Sequence, residues 1–177
     1  VSLHQFLLTD LVGATNQVLA ESCFPAEFLE LEITESALAE KPEDALTVLT
    51  RLRDLGLRLA IDDFGTGYSS LAHLKRFPLD LLKIDQGFIR DIPNSADDMT
   101  ISSSVIALGH AMGLKVLAEG VETREQLAFL QEKGCDYFQG YLCSRPVPAE
   151  DFTRLLEKAR DGLPLVDIAV AAEPVVI

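Results

Sequence analysis

Two hydrophobic periods take turns along this chain. Leu29, Leu31 and Ile33 alternate with Glu30, Glu32 and Thr34, the two-residue repeat of a half-buried strand over residues 29–34. A helical spacing precedes it over 9–22, with Leu11, Val12, Val18 and Leu19 on one stripe, broken by Pro25. Residues 43–55 carry Leu46, Leu49 and Leu52 at helical spacing, and Gly56 stands where a helix is closed. The pattern then predicts a strand over 57–62, a glycine-rich loop over 65–70, a short helix over 70–77 and a strand over 81–85. Further elements follow: a helix over 97–112, a strand over 114–119, a helix over 124–133 capped by Thr123, a short strand over 136–139 and a helix from Pro148 to about residue 160.

Strand and helix alternate throughout, which implies parallel strands joined by crossover helices. A doubly wound sheet and a barrel share that rhythm, and strand parity chooses between them. One set of alternate positions is aliphatic: Leu29, Leu31 and Ile33; Leu57, Leu59 and Ile61; Leu82 and Ile84; Val116 and Ala118. The other set ends in polar residues: Glu32, Asp62, Lys83 with Asp85, Glu119 and Gln139. Polar groups at the C-terminal ends of five strands fit the mouth of a TIM-like (β/α)8 barrel. An open sheet would gather them near one switch point. Five clear strands, with the tail of a sixth at Val1-Ser2, fall short of eight, so the expectation is a barrel lacking its first strands. One domain is expected over 1–161, N-terminally incomplete, with 162–177 a tail or linker.

Of the 177 residues, 48% are hydrophobic, enough for a sizeable core, and no apolar run reaches the length of a membrane span. A cytoplasmic protein, or the cytoplasmic part of a membrane-bound one, is expected. The formal net charge of −13 argues against a nucleic-acid polymer as partner. Cys23, Cys135 and Cys143 lack paired spacing and read as core hydrophobes.

Glu32, Asp62, Asp63, Glu119 and Glu122 form an oxygen-only set with no His or Cys in step, suited to hard cations such as Mg²⁺ or Mn²⁺. Two such cations about 3.5–4 Å apart suit phosphodiester hydrolysis. Lys83, amid these acids, is placed to hold the attacking water or offset developing charge. Asp62 and Asp63 are neighbours, so both serve one site only where the backbone turns, as Gly65 permits. Simpler readings stand beside each motif. Asp62-Asp63 and Glu35 could cap helices, Lys83 and Asp85 could form one salt bridge, and Glu122 could be an ordinary first-turn acid. The recurrence of such groups at successive strand ends favours a site. His4, His73 and His110 miss the strand ends, Ser69 and Ser70 lack a partner base, and the 65–70 loop is not a P-loop.

The stretches ELEITES (30–36), IDDFGTGYSSL (61–71), FPLDLLKID (77–85), AEGVET (118–123) and YFQGYLCSRPVP (137–148) together resemble the EAL domain family of cyclic di-GMP phosphodiesterases. The resemblance implies a TIM-like barrel that hydrolyses cyclic di-GMP to linear pGpG with two Mg²⁺ or Mn²⁺ ions. By position, Glu32, Asp62, Asp63 and Glu119 would bind metal, Lys83 would contact the catalytic water, and Glu119 would serve as general base. Glu122 and Gln139 would support the metal and water shell with Asp85, and Glu35 would anchor the loop after Asp63. Implied partners are cyclic di-GMP, a second copy through the region after Asp63, and attached sensor or cyclase domains. The Glu-Ala-Leu signature itself does not occur in these 177 residues, and the family's metal-binding Asn is expected just before Val1. These 177 residues alone are expected to retain metal poorly and to show little or no hydrolysis, whereas a longer protein would be active. The alternative is a catalytically inactive cyclic di-GMP receptor or interaction module of the same fold.

Overall fold

A computed structural model of the chain describes residues 1, 5–6, 10–67 and 71–161. Five strands among them form one sheet: β1 (Glu30–Thr34), β2 (Arg58–Phe64), β3 (Leu81–Ile84), β4 (Lys115–Glu119) and β5 (Tyr137–Gln139). Every neighbouring pair is parallel, and the spatial order is the chain order. A doubly wound sheet reverses direction at a switch point. No reversal occurs among these strands, so the sheet is an arc of a barrel.

The α-helices with described bounds are α1 (Leu11–Ser22), α2 (Glu35–Glu40), α3 (Pro42–Asp54), α4 (Leu71–Leu74), α5 (Ala96–Ala111), α6 (Arg124–Glu132) and α7 (Ala149–Arg160). Asp10 caps α1, Ser95 caps α5, and Thr123 with Gln126 forms a capping box on α6. In α1 the buried positions are Val12 and Thr15, while Val18 is exposed at the stripe's edge. The helix α2 is not expected from the pattern. It follows β1 without a loop, and its six residues are too few for a legible period.

Parity divides the strands as the alternation predicts. Ile33, Leu59, Ile61, Leu82, Ile84, Val116 and Ala118 are fully buried in one cluster with the helix residues Leu38, Leu49, Leu52 and Ile106. Ala60, Leu81 and Leu117, with Tyr137 against them, form a second, smaller cluster on the other face. The first cluster is the layer between strands and helices. The second is the floor of the barrel interior, one pleat below Asp62, Lys83, Glu119 and Gln139. The polar strand ends therefore stand on an apolar floor.

Each of β3 and β5 is pinned by an aspartate one residue before it. Asp80 accepts the Leu59 N–H at 3.0 Å and pairs with Arg53. Asp136 accepts the Val116 N–H at 3.0 Å, Lys115 Nζ at 2.6 Å and contacts His110 Nε2 at 2.7 Å. Burial works to raise the Asp136 carboxyl, but the hydrogen bonds from Lys115 and His110 outweigh it and hold it below the ordinary range. A carboxyl lowered on folding contributes stability above its unfolded pKa of about 3.9, and that contribution is lost as pH falls through the lower folded value. Asp136→Ala is therefore expected to lose about 1–2 kcal/mol at neutral pH. Urea melts should show the difference from the parent closing as the pH falls below the unfolded value of about 3.9.

Val1 is described without strand structure, and its nitrogen donates to the Glu32 carbonyl on β1. Ser2, of the proposed sixth strand, lies outside the described residues, as do His4, Tyr68, Ser69, Ser70 and the expected tail or linker at 162–177. No helix among the described residues is long and apolar enough to cross a membrane.

Candidate metal centre

The site grows from a break in the pairing of β2 with β3. Ile61 pairs with Leu82, but Phe64 pairs with Ile84, so β2 carries one extra residue over this interval. This is a β-bulge, and it contains Asp62 and Asp63. Asp63 takes a left-handed conformation, φ 55°. A left-handed residue inside a strand breaks the alternation that would send neighbouring side chains to opposite faces. The sequence expectation placed that turn at Gly65, after the strand. Instead β2 runs on through Phe64, and the reorientation falls on Asp63 itself. Aspartate tolerates this conformation better than most side chains.

One oxygen each from Asp62, Asp63 and Glu119 lie within 4.8 Å of one another. Lys83, on β3 between them, has an almost fully buried side chain, 4% exposed. Its ammonium lies 2.6 Å from Glu32 Oε1, 2.7 Å from Glu119 Oε1 and 3.1 Å from Asp62 Oδ1. Burial alone would favour a neutral amine, but hydrogen bonds to Glu119 and Glu32 overcome it and drive the Lys83 pKa well above its usual value. Lys83 pairs with these three acids, not with Asp85. Asp85 Oδ1 instead accepts the Gly87 N–H at 2.8 Å, and its charge bears on Asp63.

The acids record their own crowding. Burial pushes the Glu119 carboxyl up against the opposing pull of Lys83. Burial pushes Asp63 up as well, and the charges of Asp62 and Asp85 add to it. Glu30, lower on the same face of β1, is raised by burial and then by Glu32. Asp62 Oδ1 is buried and receives no properly angled hydrogen bond among the described residues, although Lys83 is near. A buried, unsatisfied carboxylate oxygen costs folding free energy unless something else occupies its lone pairs. A hard divalent cation fits that position: the donors are all oxygens, and three converge on one point. Four carboxylates and one ammonium leave three negative charges, an excess that divalent cations would neutralise.

Glu35 reaches the same region from α2. It is buried, and its Oε2 accepts the Gly65 N–H at 3.0 Å and the Gly67 N–H at 3.1 Å. Gly65 has φ 98°, and a Cβ there would lie 2.9 Å from Phe88 Cε2, so both backbone and space require glycine. Glu122 is exposed just before α6 and lies outside the Asp62–Asp63–Glu119 trio. Gln139 is exposed on β5, level with Glu119. Glu32 also lies outside the trio, held by Lys83.

Gln126 is the residue that motif reading passes over. It is buried, and both atoms of its amide are fully engaged between the connections that follow β3 and β4. The signal was legible, because Thr123-x-x-Gln126 has capping-box spacing. The long-range half of its bonding was not.

The sequence matches the EAL domain family over residues 2–146. It is 53% identical over 147 residues to the cyclic di-GMP phosphodiesterase NbdA of Pseudomonas aeruginosa, an alignment covering 81% of this chain and 19% of that protein. The chain thus spans about a fifth of the length of the curated relatives it matches. Among solved structures, the PaMucR phosphodiesterase in complex with c-di-GMP superposes with a TM-score of 0.83 at 43% identity, covering 86% of this chain and 62% of that one. The manganese and cyclic di-GMP complex of Klebsiella pneumoniae BlrP1 superposes with a TM-score of 0.70 at 40% identity, covering 77% of this chain and 35% of that one. With motif order, strand order and overall superposition in agreement, this chain belongs to the EAL domain family.

Proposed function

We propose that this chain carries the metal-dependent phosphodiesterase site that hydrolyses cyclic di-GMP to linear pGpG. The observation that carries this reading is the convergence of Asp62, Asp63 and Glu119 beside a buried Lys83, in a chain of this family. Glu32, Asp62, Asp63 and Glu119 are the residues to hold two cations, Mg²⁺ or Mn²⁺. When bound, such cations withdraw charge from the phosphate and make water a competent nucleophile near neutral pH. Lys83 orients that water and offsets charge that builds on the phosphate oxygens. Glu119 would take the proton that water gives up. Gln139 and Glu122 support the water from the β5 and α6 side, and Asp85 supports the site from the exit of β3. Glu35 fixes the loop after Asp63, which in turn holds Asp63 in its left-handed conformation.

The partners in this reading are cyclic di-GMP, sensor or cyclase domains on the same polypeptide, and a second copy docked through the region after Asp63, where Leu71 is exposed. The location is the cytoplasm. A receptor that binds cyclic di-GMP without turnover is the second reading, favoured by one feature: Glu32 is tied to Lys83 rather than gathered into the trio.

The test is incubation of the protein that carries these residues with cyclic di-GMP and Mn²⁺ or Mg²⁺, with chromatographic detection of pGpG. Turnover abolished by EDTA and restored by either ion is the expected result. Binding without product establishes the receptor. Mn²⁺ affinity should fall as the solution is acidified, because cations must displace protons from carboxyls that burial, and then neighbouring charge, has raised. Calorimetry in two buffers of different ionisation enthalpy should register the released protons.

A further inference from the structure

Gln126 makes more hydrogen bonds than a helix cap needs. In a capping box the glutamine or glutamate oxygen accepts one N–H at the helix entrance. Here Oε1 accepts two, from Glu122 at 2.7 Å and Thr123 at 3.0 Å. Nε2 gives both its hydrogens to the Ile89 and Arg90 carbonyls, each at 3.1 Å. The residue is 3% exposed, and its amide's full capacity of two donors and two lone pairs is used. A glutamate would satisfy the cap equally well but could not donate to Ile89 and Arg90.

Those two carbonyls belong to a fixed segment. Ser102 Oγ on α5 donates to the Phe88 carbonyl at 3.0 Å, and Ile89 is fully buried. The segment begins at Asp85, two residues beyond Lys83. The two N–H groups at the other end of the clasp belong to the connection that follows Glu119. That connection is pressed onto the first: Gly120 has φ 69°, and a Cβ there would lie 2.7 Å from Gln86 Cβ. It is also stitched to β5, where the Val121 N–H donates to Gln139 and the Val121 carbonyl accepts from Leu142, both at 3.0 Å.

We propose that Gln126 is a positioning residue for the metal-binding acids, its amide clasp fixing the Glu119–Glu122 segment against the exit of β3 and so setting where the Glu119 carboxylate meets Asp62 and Asp63. The proposal rests on the metal-site reading above. It distinguishes glutamine from glutamate at a position where helix capping does not.

Three variants test it, with Mn²⁺ affinity read from the free-ion paramagnetic resonance signal and stability read from melting in EDTA. Gln126→Glu keeps the cap acceptor and removes the donors to Ile89 and Arg90. Its Mn²⁺ affinity is expected to weaken by about 10-fold to 100-fold, the usual cost of losing a partner that orients a metal ligand. Thr123→Ala removes the other half of the capping box and leaves the clasp. It should melt at a lower temperature, with Mn²⁺ affinity within about twofold of the parent. If Gln126→Glu does not fold, Gln126→Met replaces it, with a loss at least as large. Parent-like Mn²⁺ affinity in the Gln126 variant overturns the proposal. So does an equal loss in Thr123→Ala, or a parent chain that takes up no Mn²⁺, since a clasp with no cation to serve positions nothing. Mn²⁺ uptake weakened by Gln126→Glu in a chain that does not hydrolyse cyclic di-GMP leaves the clasp standing and removes the phosphodiesterase reading.

Discussion

Asp62→Asn is expected to reduce cyclic di-GMP turnover by about 1,000-fold, equivalent to about 4 kcal/mol of barrier, without destabilising the protein. The two halves of this result have one cause. Asp62 Oδ1 is buried and receives no properly angled hydrogen bond among the described residues, and it sits within a crowd of acids. In the metal-free chain Asp62 faces Asp63 and Glu119, with Lys83 at 3.1 Å as the opposing charge. Removing the Asp62 charge relieves repulsion with Asp63 and Glu119, so the variant should melt in EDTA at the parent's temperature or above it. Each kcal/mol relieved is worth about 2–4 °C for a chain of this size. The neutral amide is a far poorer ligand for a hard cation, so Mn²⁺ affinity falls together with turnover. Calorimetric titration with Mn²⁺, a melting curve in EDTA and product chromatography check the three parts. A variant that unfolds would show Asp62 to be structural, and one that retains turnover would remove it from the metal site.

Most of the scaffold beneath this site was legible in the sequence because it depends on parity. Leu59 and Ile61, Leu82 and Ile84, Val116 and Ala118 each alternate with residues of opposite polarity, and a strand has only two faces. Strand ends at Asp62, Lys83 and Glu119 followed directly. The bulge could not be read this way, since it is a failure of the very period that locates the strand. The pattern predicted a strand ending at Asp62, and the structure continues it to Phe64 by spending Asp63 on an extra, left-handed step. The adjacency of two acids was the trace of it in the letters. The Gln126 clasp was hidden for a different reason. Its partners are the backbone carbonyls of Ile89 and Arg90, thirty-seven and thirty-six residues away, and main-chain atoms leave no mark in side-chain sequence. The pairing of Lys83 was ambiguous between a neighbour two residues along the same strand and acids on adjacent strands. Register decided it: Lys83 lies level with Leu117 on β4 and opposite the bulge of β2, so Glu119 and Asp62 are both within reach.

Lys83→Met is expected to separate metal binding from catalysis. The methionine keeps much of the aliphatic length that lines the site but removes the one positive charge at the centre of Glu32, Asp62 and Glu119. Breaking a buried ion pair by removing one partner typically costs about 3–5 kcal/mol. These acids keep part of their surface in water, with side chains 44%, 22% and 21% exposed, so the loss in EDTA should be nearer about 2–3 kcal/mol. The sign of its pH dependence is fixed. Without the ammonium, the carboxyl of Glu119, already raised by burial, rises further above its unfolded value. A native state that holds protons more tightly than the unfolded chain gains stability as pH falls, so the variant's deficit should shrink on mild acidification. Mn²⁺ should shrink it too, because a divalent cation supplies the positive charge that Lys83 no longer does. Affinity for Mn²⁺ is therefore expected to match or exceed that of the parent, while turnover falls by at least about 100-fold for want of the group that orients the water. Tight Mn²⁺ binding with little product would place Lys83 in the chemistry. Loss of both together would instead make it a scaffold cation, whose task is to keep three acids in one place until the metals arrive.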